Sequence, residues 1–285
     1  MTPIIYPGKA RAAEMKADLK KKIASLKKET GVTPKLVILK VNNTKATDIF
    51  TRLKQKAAEE VGAEVEIYEI SSRKNAQDIM SMISYIDRDE KIHGIMVQLP
   101  FPKRLKYRQE NILKFIPAEK DVDGLNDDSD FQMPVTKAIL DAVEDYQKKV
   151  AKKEKLVILV MGCKGIVGSN VTTELKKLGH TLRGVDKSKS RMLVWQDILK
   201  NSLNLDLIIT ATGKAGLLHD NNAGEGIGII DVGAPEPEAD FESLKNNITY
   251  ITPVPGGIGP VTISYLLENL YQAAYNQTHP SQKQG

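Results

Sequence analysis

Three glycines that follow a strongly apolar segment have the arrangement of a phosphate-binding turn. The segment Leu156–Met161 leads directly into Gly162, Gly165 and Gly168, and a helical pattern continues after them. This order of strand, turn and helix lets backbone amides approach a pyrophosphate at the N-terminus of the helix. The spacing is GxxGxxG rather than GxGxxG, so the turn taken alone also fits an α/β domain that binds nothing.

A carboxylate at the end of the next predicted strand supports dinucleotide binding. The strand Thr181–Asp186 ends on Asp186, which could accept hydrogen bonds from both hydroxyls of an adenosine ribose. The same charge would repel the 2′-phosphate of NADP and therefore favours NAD. Neighbouring cations could neutralise that phosphate, so the sequence leaves both cofactors open. These cations are Lys164, Arg183, Lys187 and Lys189.

Two further loops follow predicted strands of the same region. Thr212 and Gly213 come after a strand that ends at Thr210, and Gly233 and Ala234 come after the next strand. Cofactors lie at the carboxyl ends of the strands in open parallel sheets. These loop residues are therefore predicted to contact the dinucleotide.

Lys54 could take part in proton transfer. It lies on a predicted helix, Ala46–Val61, at the edge of an apolar stripe. The stripe consists of Ile49, Phe50, Leu53 and Ala57. An amine drawn into a cleft loses solvation, which lowers its pKa and allows it to accept or donate a proton near neutrality. The pattern alone fits better a lysine whose stem covers apolar surface, and it does not distinguish Lys54 from Lys56.

Three more segments carry groups that could bind a small molecule. Gly94–Pro102 reads GIMVQLPFP, an apolar strand with Gln98 at its carboxyl end, where open α/β sheets place ligand-binding groups. Lys120–Gly124 reads KDVDG, a turn whose two carboxylates could hold a planar pair of donors or make an ordinary Asx turn. Thr252–Thr262 reads TPVPGGIGPVT, a loop stiffened by prolines, in which two glycines let the backbone approach a ligand closely.

The elements that must position these groups predict an α/β fold. Apolar, β-branched segments alternate with helical patterns along the chain, which is typical of a parallel sheet covered by helices. The predicted strands are Lys35–Val41, Glu64–Ile67, Ile92–Val97, Leu156–Met161, Thr181–Asp186, Asp206–Thr210, Gly228–Val232 and Thr249–Ile251. At 285 residues, the chain has room for two domains of ordinary size.

Two helical segments define the expected domain arrangement. Ala138–Lys155 ends in a basic cluster and is predicted to connect the domains, whereas Val261–Tyr275 is predicted to return and pack on the first domain. We therefore expect a substrate domain with a parallel sheet at residues 1–137, completed by residues 263–285. A Rossmann-type dinucleotide-binding domain is expected at residues 138–262.

Composition narrows the class of protein. Hydrophobic residues make up 41% and charged residues 27%, and no apolar run reaches the length of a membrane span, so we expect a cytoplasmic protein. The only cysteine, Cys163, cannot form an internal disulfide or a cysteine-built metal site, and the four histidines match no metal-ligand spacing. Lysines gather in Lys16–Lys28 and Lys148–Lys155, which fit solvated helix faces better than a nucleic-acid surface.

Taken together, these segments resemble the methylenetetrahydrofolate dehydrogenase/cyclohydrolase family, the bifunctional FolD type. The resemblance covers nearly the whole chain, and the order and spacing of its motifs are highly specific. The matching segments are KQKAAEEVG (Lys54–Gly62), VQLPFP (Val97–Pro102), KDVDG (Lys120–Gly124), the Gly162 turn, IDVG (Ile230–Gly233) and TPVPGGIGPVT (Thr252–Thr262).

The resemblance implies an enzyme with two activities. It would oxidise 5,10-methylenetetrahydrofolate to 5,10-methenyltetrahydrofolate with NADP or NAD, and then hydrolyse that product to 10-formyltetrahydrofolate. Lys54 would be the central catalytic residue, while Gln98 and Asp123 would orient the lysine and hold the pterin. This overturns the simpler interpretation of Lys54 given above.

The resemblance also implies the binding residues and partners. The folate would contact Phe50, Leu99, Pro100, Pro255, Gly256, Gly257 and Thr262. Cys163 and Lys164, within the glycine turn, would join the dinucleotide-binding residues named above. The family is commonly dimeric, so a homodimer is expected. Tetrahydrofolate derivatives are the expected partners, with no nucleic acid and no membrane.

The sequence departs from the family pattern at three places. The family usually has tyrosine where this chain has Phe50, so a hydroxyl that could hydrogen-bond the lysine is missing and the cyclohydrolase step is expected to be weakened. The family's GRSxxVG is GCKGIVG here, which leaves the preference for NADP open. PVTKA (Pro134–Ala138) and VDKS (Val185–Ser188) replace the family's PxTPxG and CHS, so the cofactor pocket has diverged more than the folate pocket.

Three alternatives follow from these departures and from the fold class. The first is a dehydrogenase that has lost its cyclohydrolase activity through Phe50. The second is a non-catalytic relative that binds folate or dinucleotide. The third, a shikimate or amino-acid type dehydrogenase, would share the two-domain plan but lacks support from the substrate motifs.

Overall fold

The structure, a computed structural model, describes residues 2–42, 44–71, 73–186 and 205–280. In chain order its helices and strands are β1 (Ile4–Ile5), α1 (Gly8–Thr30), β2 (Lys35–Lys40), α2 (Lys45–Val61), β3 (Glu64–Glu69), α3 (Ala76–Asp87), β4 (Gly94–Gln98), α4 (Gln109–Leu113), α5 (Pro134–Tyr146), β5 (Val157–Met161), α6 (Ile166–Lys177), β6 (Thr181–Val185), β7 (Leu207–Thr210), α7 (Asp220–Ala223), β8 (Gly228–Asp231), α8 (Phe241–Leu244), β9 (Tyr250–Ile251) and α9 (Ile258–Thr278). Short 3₁₀ helices cover Lys103–Arg108 and Ala118–Lys120, and a π-helical turn covers Gln147–Ala151. The α/β class and all eight predicted strands are confirmed, with ends that differ by one or two residues.

The chain divides into two compact units. The three-stranded unit comprises Ala12–Pro134 with Ile263–Gly285, and the six-stranded unit comprises Met1–Arg11 with Val135–Thr262. The N-terminal residues therefore group differently from the predicted domain 1–137. The reason is β1, which pairs with β9 through Ile4 and Tyr250, and Tyr6, whose hydroxyl donates to Asp141 at 2.6 Å. A two-residue exposed strand leaves no hydrophobic period from which it could be predicted.

The three-stranded unit has a parallel sheet in the order β3–β2–β4. Because successive side chains of a strand point to opposite faces, β2 and β4 supply two cores. On one face Val37 and Val97 pack with the buried face of α3. On the other face Leu36 and Met96 pack with α2 and α9.

The helix α2 begins with a capping box and buries a polar-rich row of side chains. Thr44 is its N-cap, and the side chains of Thr44 and Thr47 exchange hydrogen bonds with each other's backbone N–H groups. The row that faces the sheet consists of Thr47, Thr51, Lys54, Ala58 and Val61. Within this row the threonine hydroxyls bond to backbone carbonyls, as Thr47 does to Asn42 at 2.7 Å.

The predicted apolar stripe on α2 was wrong in two of its members. Ile49 and Leu53 are 51% and 47% exposed, respectively. Hydropathy favoured them over the threonines, but a hydroxyl that bonds to its own helix backbone can be buried at little cost. Lys54, which is half-buried, consequently lies on this row itself.

The last helix, α9, packs on the three-stranded unit as predicted. Leu266, Leu267 and Leu270 join the core formed by Leu36 and Met96. Asn269 is 4% exposed, and its amide donates to the carbonyls of Val122 at 2.9 Å and Gln132 at 3.0 Å. The helix therefore also fixes the turn that contains the KDVDG motif.

The six-stranded unit has a parallel sheet in the order β1–β9–β8–β7–β5–β6. The chain leaves β5 through the glycine turn, returns on β6 at the edge, and continues in β7 on the other side of β5. The direction of strand order thus reverses between β5 and β7. In open α/β sheets such a switch point forms the crevice in which ligands bind.

Several lysines of the two basic runs pair with carboxylates. Lys22 pairs with Asp18 at 2.8 Å and Lys149 pairs with Asp145 at 2.8 Å, both four residues apart along a helix. The predicted connector helix starts at Pro134 rather than at Ala138, and its π-helical end stops at Ala151. Among the residues that the structure describes, no helix is both long enough and apolar enough to cross a membrane.

Replacing Asn269 tests how α9 is attached. Asn269→Ala leaves the carbonyl groups of Val122 and Gln132 without this donor, so we expect the free energy of unfolding in urea to fall by about 1–3 kcal/mol. Gln272→Ala, on the exposed side of the same helix, serves as the control and should change it by less than about 0.5 kcal/mol. Equal losses in the two variants would contradict this account of the attachment.

Candidate active site

The ammonium group of Lys54 meets the carboxyl end of β4. Its Nζ donates a hydrogen bond to Oε1 of Gln98 at 2.8 Å and lies 3.7 Å from Sδ of Met96. The other end of the Gln98 amide donates to the carbonyl of Leu99 at 2.8 Å, which turns Oε1 towards the lysine. A neutral amide and a thioether therefore surround the amine, and both positions are fixed by the sheet.

Burial and one nearby carboxylate set the proton affinity of Lys54. Loss of solvation lowers the pKa of Lys54, and the charge of Asp123 opposes this shift by raising it. In the same way, burial raises the pKa of Asp123 and the charge of Lys54 lowers it. The amine is thus made easier to deprotonate than an exposed lysine, which suits a group that exchanges protons with a ligand.

The two carboxylates of the KDVDG turn have different surroundings. Asp121 is fully buried, and its Oδ2 accepts a hydrogen bond from the backbone of Asn126 at 2.8 Å. Burial raises the pKa of Asp121 to about 6. Asp123, two residues later, is half-buried and interacts electrostatically with Lys54. The residue pattern alone left the two aspartates equivalent, and the family resemblance selected Asp123. In the structure Asp121 forms the turn, whereas Asp123 interacts electrostatically with Lys54.

The remaining predicted folate contacts of the three-stranded unit flank this group. Phe50 is half-buried one helical turn before Lys54. Leu99 is half-buried and Pro100 is exposed directly after Gln98, and the carbonyl of Pro100 accepts a hydrogen bond from Asn42 at 3.2 Å. A half-buried ring, an amine, an amide and a carboxylate therefore occupy one edge of the sheet.

The other predicted folate contacts belong to the six-stranded unit. Pro255 is exposed, whereas Gly256 and Gly257 are buried against the start of the chain. A β-carbon on Gly257 would lie 2.6 Å from the carbonyl oxygen of Pro253, so close packing within the loop already accounts for glycine at this position. Thr262 is half-buried, and its hydroxyl donates to the carbonyl of Ile258 at 3.0 Å within α9.

The glycine turn after β5 has the features of an anion site. Gly165 is the N-cap of α6, and in the described part of the chain no side chain caps this helix end. The first-turn amides of a helix have no partner within the helix, and the helix dipole favours an anion beside them. A β-carbon on Gly168 would lie 2.1 Å from the carbonyl oxygen of Gly162, so glycine is needed for the turn to fold against the helix.

The residues around the turn fit a dinucleotide. Asp186 follows β6 directly and is half-buried, which is the position expected for a ribose-binding carboxylate. Lys164 is exposed in the turn. Cys163 faces β6, since a β-carbon on Gly184 would lie 2.8 Å from its sulfur. Lys187 and Lys189 lie outside the described residues.

The loops after β7 and β8 contain two carboxylates that sequence reasoning missed. The amides of Thr212 and Gly213 donate to the side chain of Glu238. The amide of Gly233 donates to Asp231 at 2.7 Å, whereas Ala234 is exposed. Asp231 stood in the IDVG motif and could have been singled out, but no pattern in the sequence pointed to Glu238.

Two protein-family models match most of the chain. Residues 6–123 match the catalytic domain of tetrahydrofolate dehydrogenase/cyclohydrolase, and residues 134–278 match its NAD(P)-binding domain. The bifunctional protein FolD of Halalkalibacterium halodurans is 32% identical over 289 residues, which cover 96% of this chain and 99% of that protein.

Two solved structures share the fold. The bifunctional FolD enzyme of Campylobacter jejuni is 30% identical, with a TM-score of 0.82 over 95% of this chain and 98% of that one. A 5,10-methylenetetrahydrofolate dehydrogenase from the silkworm Bombyx mori is 26% identical, with a TM-score of 0.83 over 98% of this chain and 100% of that one.

A sheet with a switch point beside a glycine turn defines a dinucleotide-binding protein of the α/β class. More narrowly, the chain belongs to the tetrahydrofolate dehydrogenase/cyclohydrolase family and carries that family's NAD(P)-binding domain. The family resemblance and the Rossmann-type fold are thereby confirmed, and a dehydrogenase of the shikimate type is excluded.

Proposed function

We propose that this protein oxidises 5,10-methylenetetrahydrofolate to the 5,10-methenyl compound with NAD(P)⁺ and hydrolyses that product to 10-formyltetrahydrofolate. The observation that carries the proposal is the hydrogen bond of 2.8 Å between Lys54 and Gln98 beside Asp123. Ionisable side chains that lose solvation and have a shifted pKa are concentrated at functional sites, so a lysine of this kind at the edge of a sheet indicates a role in ligand binding or catalysis. The family membership supplies the substrate class.

Lys54 manages the protons of the reaction. In the hydrolysis, the oxygen of a water molecule bonds to the methenyl carbon, the bond from that carbon to N5 breaks, and one proton is released. Because burial lowers the pKa of Lys54, its amine loses a proton more easily than an exposed lysine, and the deprotonated amine can accept this proton. Gln98 keeps the amine in position, and the carboxylate of Asp123 binds the planar amino-pyrimidine donors of the pterin.

The six-stranded unit would hold the dinucleotide, which when bound accepts the hydride of the methylene carbon. The amides at the start of α6 would bind the pyrophosphate, and Asp186 would bind the adenosine ribose. The carboxylate of Asp186 supports NAD, while exposed Lys164 keeps NADP open. Titration with each oxidised cofactor separates these alternatives.

We also propose that the protein works as a homodimer in the cytoplasm. The family resemblance supports the dimer, and the single cysteine in 285 residues is consistent with a reducing compartment. Light scattering of the purified protein measures the mass of the assembly. A monomeric mass at micromolar concentration would contradict the dimer.

A dehydrogenase without cyclohydrolase activity is the second candidate, because Phe50 lacks a hydroxyl that could bond to the lysine. Accumulation of the methenyl product with no hydrolysis above the uncatalysed rate would favour it. A non-catalytic relative would give neither product. Absence of turnover with both cofactors would reject the proposed function.

Lysine substitution on α2 tests the role of the buried amine. Lys54→Met keeps the stem but removes the proton-exchanging group, so we expect cyclohydrolase kcat to fall at least about 100-fold. Lys56→Met, two residues later on the exposed side, is the matched control and should change kcat by less than about twofold. The rate is measured from loss of the methenyl absorbance, and similar losses in both variants would argue against Lys54.

Restoring a hydroxyl at position 50 tests the effect of the family departure. Phe50→Tyr adds a group one turn before Lys54 that can hydrogen-bond the amine, so we expect the cyclohydrolase rate to rise more than the dehydrogenase rate. Phe115→Tyr, which alters an exposed phenylalanine of the same unit, is the control. Equal changes in the two activities of Phe50→Tyr would show that the hydroxyl has no specific role in hydrolysis.

A further inference from the structure

Glu238 holds the loop that follows β7 with an unusually complete set of hydrogen bonds. Both carboxylate oxygens accept from the amide of Thr212, at 2.9 Å and 3.0 Å. The hydroxyl of Thr212 donates to Oε2 at 2.6 Å, and the amide of Gly213 donates to Oε1 at 2.6 Å. Glu238 is only 2% exposed. The side chain therefore belongs to the interior of this loop.

The partners of Glu238 suit a charged carboxylate. The amides of Thr212 and Gly213 and the hydroxyl of Thr212 all donate to it. Donors of this kind make charge-assisted hydrogen bonds with an ionised carboxylate. The carboxylate is thus held by donors in a place that water does not reach.

This charge lies at one end of the dinucleotide crevice. The strand order reverses between β5 and β7, and the glycine turn with Asp186 follows the β5 and β6 side. A dinucleotide that lies across such a switch point places its adenosine half over that side and its nicotinamide half over the β7 and β8 side. The Glu238 carboxylate holds the β7 loop, on the nicotinamide side.

We propose that Glu238 determines the redox preference of the cofactor site, by stabilising the oxidised dinucleotide relative to the reduced one. The inference rests on the proposed function. The oxidised nicotinamide ring carries a positive charge and the reduced ring carries none, so a fixed negative charge in a low-dielectric loop favours the oxidised form. A loop held only for its shape would bind both forms alike.

The other charged groups of these loops do not duplicate this effect. Asp231 is buried at the end of β8, where burial raises its pKa and its oxygens accept from Gly233 and Ala239. Lys214, next to Gly213, is exposed, and water screens its charge. Glu236 is exposed two residues before Glu238. Glu238 therefore combines ionisation, burial and attachment to the β7 loop.

Direct binding of oxidised and reduced cofactor tests the proposal. Dissociation constants of NAD⁺, NADH, NADP⁺ and NADPH are measured by calorimetry at low ionic strength, for the full protein and for Glu238→Gln. We expect the variant to lose affinity for the oxidised form, so that the ratio of the reduced to the oxidised dissociation constant falls about fivefold or more. Glu236→Gln also deletes one negative charge, but at a solvent-exposed position, and it should leave the ratio within about twofold of the unaltered protein.

Two further variants separate charge from loop shape. Thr212→Val removes one donor but keeps the carboxylate, so it should weaken both redox forms alike. Lys214→Gln removes an exposed cation whose charge water screens, so it should leave the ratio within about twofold. Binding of any dinucleotide by the unaltered protein tests the proposed function separately.

The proposal is overturned if Glu238→Gln weakens the oxidised and reduced forms equally, or if it changes neither. It is also overturned, whether or not Glu238→Gln folds, if Thr212→Val, which keeps the carboxylate, lowers the ratio about fivefold or more. If the unaltered protein binds none of the four dinucleotides, the proposed cofactor site itself is rejected.

Discussion

Removal of one amine from water is the constraint on which this structure depends. A lysine in contact with an amide and a thioether loses hydration, and the loss is tolerable only if the positive charge is partly offset or given up. Gln98 supplies a neutral hydrogen-bond acceptor at 2.8 Å, and the negative charge of Asp123 stabilises the protonated amine and so raises its pKa. The balance leaves Lys54 easier to deprotonate than an exposed lysine without forcing it to be neutral.

Much of the three-stranded unit serves to hold this balance. The buried row of α2 places Lys54 over the sheet, and the threonines of that row satisfy their own hydroxyls so that the helix can approach closely. Asp121 organises the turn that carries Asp123, and Asn269 attaches that turn to α9. Polar groups near the amine are thus fixed by hydrogen bonds, which limits the rearrangement needed when a proton moves.

The six-stranded unit applies the same principle to a different charge. Its loops are shaped by buried carboxylates, Asp231 and Glu238, that collect backbone amides. The backbone amides of Thr212, Gly213 and Gly233 therefore donate to carboxylates within the loops. Direct anion binding is left to the start of α6, where helix geometry supplies the amides.

The sequence predicted the features that repeat or that need special residues. Parallel strands have continuous apolar runs, and the glycine turn needs glycine for close packing, so both were correctly placed. It could not predict the buried row of α2, because threonines that satisfy their own hydroxyls are read as polar while exposed Ile49 and Leu53 are read as core. The residue pattern alone also left Asp121 and Asp123 equivalent, and only the family resemblance selected Asp123. No pattern pointed to Glu238, whose hydrogen-bond partner Gly213 lies 25 positions earlier in the chain.

The most direct test of the central claim is the titration of the Lys54 amine itself, followed by NMR in protein with isotopically labelled lysine and assigned by comparison with Lys54→Met. The account predicts that this amine titrates below the ordinary lysine range, and that Asp123→Asn lowers its pKa further because a raising charge is lost. An amine that titrates at or above the ordinary value of 10.5, or one that does not respond to Asp123→Asn, would contradict it.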